Sequence, residues 1–416
     1  MSIEFSNYRL GDIADVQTGP FGSQLHQKDY VDIGTPIITV EHLLDNRISH
    51  VNTPYVSDED KERLSKYKLF KGDIVFSRVG SVDRRAYVRE EENGWLFSGR
   101  CLRVRVKTQE VSSLYLSYYF GLESFKAYIR RIAVGATMPS INTQILSDIE
   151  VKVPPINVQH KLEDILDSID EKIELNKKMN HTLEETAMTL YKHWFVDFGP
   201  FQDGEFVESD LGMIPIGWEV VGVSKFSNII GGGTPKTSIE EYWGGEFPWI
   251  SVKDLNSQVI MQTEKTVTKK GIKNSSTKLL PTFSTVISAR GTIGNISITG
   301  VEMTMNQSCY AFSSPYDLDV FTYLSIKKSI NNLIKQSHGS VFNTITKSTL
   351  NSLKFSYEHD HVKEFEEKVK PYYMQIRSNI IENNNLEDLR NYLLPKLLSG
   401  EVNIPEVEEA VGNVMQ

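Results

Sequence analysis

Residues 173–185 read IELNKKMNHTLEE, and residues 376–388 read IRSNIIENNNLED. The two strings stand 203 residues apart, and each spaces apolar residues and an asparagine along one helix face. Read outward, the first becomes a seven-residue recurrence through Leu162, Ile169, Asn176, Leu183 and Leu190, widened by Ile173. The second runs through Val369, Ile376 and Asn383, joined by Leu386 and Leu393. A sustained heptad with acidic flanks is the pattern of a helix–helix seam, and an asparagine on the seam sets its register. Each segment has room for a helix of about 35 residues, roughly 50 Å long at 1.5 Å per residue. Two arrangements are compatible with the spacing: mutual antiparallel pairing, or two amphipathic helices each packed on its own domain. Matched heptads in both segments favour pairing.

The matching continues upstream. IITVEHL (37–43) answers WISVKDL (249–255), and IVFSRVGSVD (74–83) answers VISARGTIGN (286–295), both read at an offset of 212 so that Arg78 faces Arg290. SGRCLRV answers NQSCYAF with Cys101 and Cys309 208 apart, and Gly135 answers Gly339 at 204. The order is kept and the offset drifts slowly, as short loop insertions produce. A period near 200 residues is a duplicated domain pair, not a solenoid. Between the markers lie short β-branched runs punctuated by Gly, Asn, Asp and Pro, interspersed with helical stretches. The expected fold is α+β: two pseudo-twofold-related domains separated by two long antiparallel coiled-coil helices. The expected boundaries are a domain over 1–155, a helix over 156–197, a linker and second domain over 198–356, a helix over 357–402 and an acidic tail over 403–416.

Bulk properties narrow the class. Hydrophobic residues make up 40% and charged residues 24% of the 416, an ordinary globular balance that excludes a largely disordered chain. No apolar run approaches the roughly 18 residues of a membrane span, and the start MSIEFSNYRL has no apolar leader core. Cys101 and Cys309 have no CxxC or Cys/His neighbours, which points to reduced thiols, a cytoplasmic setting and no zinc site. The net charge of −9 argues against a nucleic-acid partner until its distribution is read. Residues 156–205 carry 5 basic against 11 acidic side chains and residues 357–416 carry 6 against 12, whereas 1–155 is balanced at 20 and 20 and 206–356 is basic at 14 against 11. The acid therefore sits in the two helical segments.

No catalytic constellation is found. There is no Asn/Asp-Pro-Pro-aromatic string for amino methylation, and VPP at 153–155 is followed by Ile156. GGGTPKT (231–237) lacks the spacing of a phosphate loop. The histidines form no metal pattern, and no carboxylate pair suggests a nuclease.

Longer strings resemble a known family. LYKHWFVDFGPF (190–201), LRNYLLPKLLSGEV (389–402), VKVPPINVQHKLEDIL, IDEKIELNKKMNHTLEE, GGGTPKTSIEEYWGGEFPWISVKDL (231–255) and ISARGTIG together make nearly the whole chain resemble the DNA-specificity subunit of type I restriction-modification systems. That resemblance implies that each β-rich region is a target-recognition domain reading one half of a split site in double-stranded DNA. It implies that the paired helices set the spacing and dock two modification (methyltransferase) subunits, with restriction subunits joining that core. S-adenosylmethionine is then expected on the partner subunits, with no cofactor, metal or catalytic residue on this chain and no membrane contact. Two rivals stay open: a self-contained nuclease or methyltransferase with a fused specificity module, and a solitary paralogue that competes for methyltransferase subunits as a protein scaffold.

Duplex DNA requires phosphate neutralisation plus donors and acceptors for base edges. The first copy offers Arg78, Ser81, Arg84 and Arg85 in one loop, and Arg100 and Arg103 around Cys101. The second offers Lys253, then Arg290, Thr292 and Asn295, then Asn306, Gln307 and Ser308. TGPFGSQ, with Thr18, Gly19, Phe21, Gly22 and Ser23, matches GGGTPKT, with Gly232, Thr234, Lys236 and Thr237. Bare glycine loops let backbone amides approach a phosphate. Because Arg78 and Arg290 recur in both copies, the matching assigns them to phosphate anchoring or structural bracing. Base reading is expected where the copies differ: Arg84, Arg85 and Arg100 in one, Asn295, Asn306 and Gln307 in the other. The seam residues named above are the expected helix-pairing and subunit-docking positions.

Overall fold

A computed structural model describes residues 4–20, 22, 24–338, 344–402 and 404–414. Phe21 and Ser23, two of the expected DNA contacts, and Gly339, one of the repeat markers, lie outside the described residues. The chain forms two compact units. One comprises Met1–Lys172 with Leu386–Gln416, the other Ile173–Asn385. Each unit takes one β-rich domain and a portion of both long helices.

Both units are α+β and repeat one topology. In the first, an antiparallel sheet runs in the order Ala14–Thr18, Cys101–Val106, Ile74–Ser77, Arg85–Tyr87. In the second, the order is Asn228–Gly231, Cys309–Ser313, Thr285–Ser288, Ile296–Thr299, with Val259–Ile260 added in parallel at the edge. Each unit has a second, three-stranded sheet: Tyr55–Val56, Thr35–Ile38, Leu96–Phe97 in one and Thr266–Val267, Trp243–Ile250, Thr304–Met305 in the other. In both, the central strand pairs in parallel with the last, Ile38 opposite Phe97 and Ile250 opposite Met305. An antiparallel ribbon joins the ends of each domain, Ser6–Arg9 with Glu150–Val153 and Glu219–Gly222 with Lys354–Tyr357.

Packing explains several of the repeated residues. Cys101 and Cys309 are buried in matching cores, with Ile37, Val75 and Phe97 around one and Val286, Met305 and Ala311 around the other. Burial pushes both thiols up to about 12, so neither is a nucleophile at neutral pH. Gly19 and Gly232 also correspond. A Cβ on either would lie 2.2 Å from the Ser98 carbonyl oxygen or 1.8 Å from that of Asn306. Their amides donate inward to the Cys101 and Cys309 carbonyls at 3.2 and 3.3 Å. These glycines serve strand packing, and their amides do not face outward as the phosphate-loop reading expects.

The long helices span Ile156–Phe195 and His359–Ser399, 40 and 41 residues. At 1.5 Å per residue that is about 60 Å each, longer than the heptads alone suggest. Ile173, Asn176, Val369, Ile376 and Asn383 are buried in the second unit, with Leu183 and Leu190 half-buried. There the Asn176 amide donates to the Asn383 side-chain oxygen at 2.9 Å, and the Asn379 amide donates to Asn180 at 2.8 Å. The ascending and descending numbers make this pairing antiparallel. In the first unit Leu162, Ile169, Leu386 and Leu393 are buried, and Arg390 reaches Asp170 at 2.7 Å. The helices also cap their domains. Glu163 accepts from the Tyr115 amide at 3.1 Å, and Glu366, 203 residues later, accepts from the Val320 and Phe321 amides at 3.1 and 2.7 Å. The tail contains a further helix, Ile404–Val414, which buries Val407 and Val411 and leaves Glu406, Glu408 and Glu409 exposed.

Candidate nucleic-acid interface

Four chain segments meet at one end of the first domain: the loop after the Ala14–Thr18 strand, the turn at Thr39–Glu41, the Arg78–Arg84 hairpin and the Ser98–Arg100 turn. They line a cleft of about 780 Å³. Arg78, Ser81, Arg84, Arg100 and Gly22, all expected contacts, come together there. Arg84, Arg100 and Ser81 are exposed. Arg78 is half-buried, and its Nη1 donates to the Thr18 hydroxyl and the Gly99 carbonyl, both at 3.2 Å. Thr18 is therefore a support for Arg78. The cleft also contains His26, Gln27, Tyr30, Thr39 and Glu41, which the sequence reading did not single out.

Two of the expected DNA contacts, the base-reading candidate Arg85 and the neighbouring Arg103, are buried. Arg85 is 3% exposed; its Nε donates to the Ser117 carbonyl at 2.6 Å and its Nη1 to Asp45 at 2.7 Å. Arg103 lies at 7% on the central strand opposite Gln17 and Val75. Burial, then the charge of Arg105, lower its pKa. Arg85 pairs with Phe76 and Arg103 with Val75, so the two lie on opposite faces of the sheet, each buried and neither lining the cleft, which composition alone does not show.

The second domain brings the corresponding four segments together, and the sheet register corrects the alignment. Ser77 faces Cys101 and Ser288 faces Cys309, so Ser77 and Ser288 are equivalent. Arg78 donates its amide to the Arg100 carbonyl and accepts from the Ile141 amide; Ala289, not Arg290, makes the same bonds with Ser308 and Ile345. Gly80 and Gly291 then coincide in the left-handed region at φ 81° and 78°. Arg290 stands in the place of Val79. The apparent echo is one residue out of step, and such a slip exchanges the two sides of a strand. Arg290 is exposed and has no ion-pair or hydrogen-bond partner for its side chain among the described residues. Arg290 is not the repeat of Arg78, so recurrence does not mark it as scaffold.

The other expected residues divide by environment. The Ser288 hydroxyl bridges the loop, donating to the Thr292 carbonyl at 2.6 Å and accepting from the Asn295 amide at 2.9 Å. The Thr292 side chain is exposed and that of Asn295 half-buried. Thr234 and Gln307 hydrogen-bond to one another. Asn306 uses its side-chain oxygen to accept from the Ser308 amide at 3.0 Å. Lys253 and Asn306 line a cleft of about 330 Å³ with Ser251, Asp254 and Lys265. Lys236, Thr237 and Lys253 are exposed. Among the described residues no group of His, Cys, Asp or Glu is arranged to hold a metal ion, and no helix is long and apolar enough to cross a membrane.

Comparison with known proteins agrees with this duplicated plan. The family model described as type I restriction modification DNA specificity domain matches residues 2–185 and 215–357. The chain is 27% identical to the type I restriction enzyme HindI specificity subunit of Haemophilus influenzae, covering 96% of this chain and all of that one. It is 26% identical to the MjaIX specificity subunit of Methanocaldococcus jannaschii, covering 96% and 94%. The crystal structure of a type I restriction-modification S subunit from M. genitalium shares the fold, with a TM-score of 0.58 at 15% identity over 95% and 96% of the two chains. Two family matches placed on the two copies of one α+β plan identify the chain as a member of the type I restriction-modification DNA specificity family, a specificity subunit.

Proposed function

We propose that this chain reads a bipartite site in double-stranded DNA, one half with each domain, and scaffolds the subunits that act on it. The observation that carries the reading is the pair of clefts. They sit on the same strand order and share two equivalent segments, the turn after the parallel-paired strand (Thr39–Glu41, Ser251–Asp254) and the turn before the Cys101 and Cys309 strands (Ser98–Arg100, Asn306), yet they differ in the side chains they present. Arg78, Arg84 and Arg100 dominate one; Lys253, Asn306 and the neighbouring Arg290 and Gln307 mark the other. Guanidinium and ammonium groups serve phosphates and guanine edges, and amides serve adenine. The acidic paired helices set the distance between half-sites and dock two modification subunits; restriction subunits join that assembly. Methyl transfer from S-adenosylmethionine and any cleavage take place on the partners.

The test is selection from a random duplex library by the full chain purified with its modification subunits, followed by sequencing. A motif of two defined halves around an undefined spacer is expected. Retention without sequence preference, or methylation or cleavage by the chain alone when given S-adenosylmethionine and Mg²⁺, overturns the reading.

A further inference from the structure

The strings IITVEHL and WISVKDL share a frame but not a charge. Thr39 and Ser251 begin equivalent 3-10 turns, Val40–His42 and Val252–Asp254, directly after the parallel-paired strands. The Thr39 amide donates to His42 Nδ1 at 3.0 Å, and the Ser251 amide donates to Asp254 at 2.7 Å. The next position of the two turns therefore coincides: Glu41 in one copy, Lys253 in the other. Both side chains are exposed, each lines its copy's cleft, and neither is in an ion pair among the described residues.

A position devoted to phosphate neutralisation carries a cation in both copies. Here one copy carries a carboxylate, the only acid among the described residues lining a cleft that also holds Arg78, Arg84 and Arg100. An anion so placed weakens binding to every sequence unless the nucleic acid supplies a donor. The Thr39 hydroxyl donates to one Glu41 oxygen at 3.1 Å, which orients the carboxylate and leaves the other oxygen to accept. In the second copy Asp254 accepts from Ser251 and the Glu264 amide and forms no ion pair with Lys253 among the described residues. Base edges in the major groove match this reversal: cytosine presents the N4 amino donor, guanine the O6 and N7 acceptors.

We propose that these two equivalent positions are specificity determinants, Glu41 accepting from cytosine N4 in one half-site and Lys253 donating to guanine O6/N7 in the other. The assignment rests on the bipartite reading above. The experiment is the same random-library selection with the full chain and its modification subunits. Glu41→Gln loses about ten-fold of the preference for cytosine at one position and leaves the other half-site unchanged. Lys253→Gln loses guanine at one position of that other half-site. Glu41→Lys, a gain-of-preference control, replaces cytosine by guanine at the same position. Motifs unchanged in all three variants, or a uniform change across every position with only the salt dependence altered, overturn the assignment while the bipartite reading stands. A wild-type selection without a two-part motif removes both.

Discussion

Replacing Arg85 with alanine takes the donor from the carbonyl of buried Ser117, while the exposed Asp45 loses one partner and keeps Arg390. The cost is that of an orphaned buried acceptor plus a cavity, about 2–4 kcal/mol, read as a lowered denaturant midpoint. Arg84→Ala, on the exposed side of the same strand end, leaves that midpoint within about 0.5 kcal/mol and weakens DNA retention instead. Equal destabilisation by the two changes contradicts the sorting of these arginines. A second residue-scale prediction concerns pH. Burial pushes Glu366 up to about 7 against the two amides that it accepts from, and burial likewise pushes Asp319 up to about 6. For Glu366 the folded state holds its proton between the ordinary 4.5 and about 7, where the unfolded chain has lost it. This contribution is present at low pH and is lost as pH rises through that window. Glu366→Gln removes it, so the wild type should lose stability relative to the variant between pH 4.5 and 7.5, on the order of 3 kcal/mol. Parallel pH profiles of the two unfolding midpoints refute the assignment.

At the scale of elements, the helix pair in the second unit is pinned by two buried asparagine bridges, Asn176 to Asn383 and Asn180 to Asn379. Apolar seams tolerate sliding by a heptad; buried amides do not, because a slip leaves each without a partner. Asn180→Leu alone should cost about 1–3 kcal/mol, and the double change Asn180→Leu with Asn379→Leu should recover most of it. A double-mutant cycle on urea midpoints measures this, and additive losses contradict the pairing. The existence, period and seam residues of these helices were legible in the sequence because a heptad is a one-dimensional signal. The hairpin strands were legible as strands. Their register was not: SRVG and SARG align equally well by eye at two offsets, and only hydrogen bonding to Arg100 or Ser308 separates them.

For the whole molecule, each compact unit takes part of both helices, with the boundaries at 172/173 and 385/386. If the helices are the ruler, a heptad inserted at both boundaries keeps the seam in phase and adds roughly 10 Å. The selected motif should then gain about three base pairs of spacer, at 3.4 Å each, with both half-sites unchanged. Altered half-sites with an unchanged spacer refute the ruler. An insertion in one helix alone breaks the pairing and should instead lower stability.

The sequence by itself determined that the domain is duplicated, that the copies are α+β, and that two long heptad helices carry the acid. Those properties follow from period, composition and order along the chain. Only the tertiary structure decided which arginines are available. Arg85 and Arg103 were indistinguishable from Arg84 and Arg100 as residue types, but Arg85 and Arg103 lie within packed strands and are buried, whereas Arg84 and Arg100 precede those strands and are exposed. Likewise Arg78 and Arg290 looked like one position until the strand register separated them, since a one-residue slip turns a side chain to the opposite side of its strand.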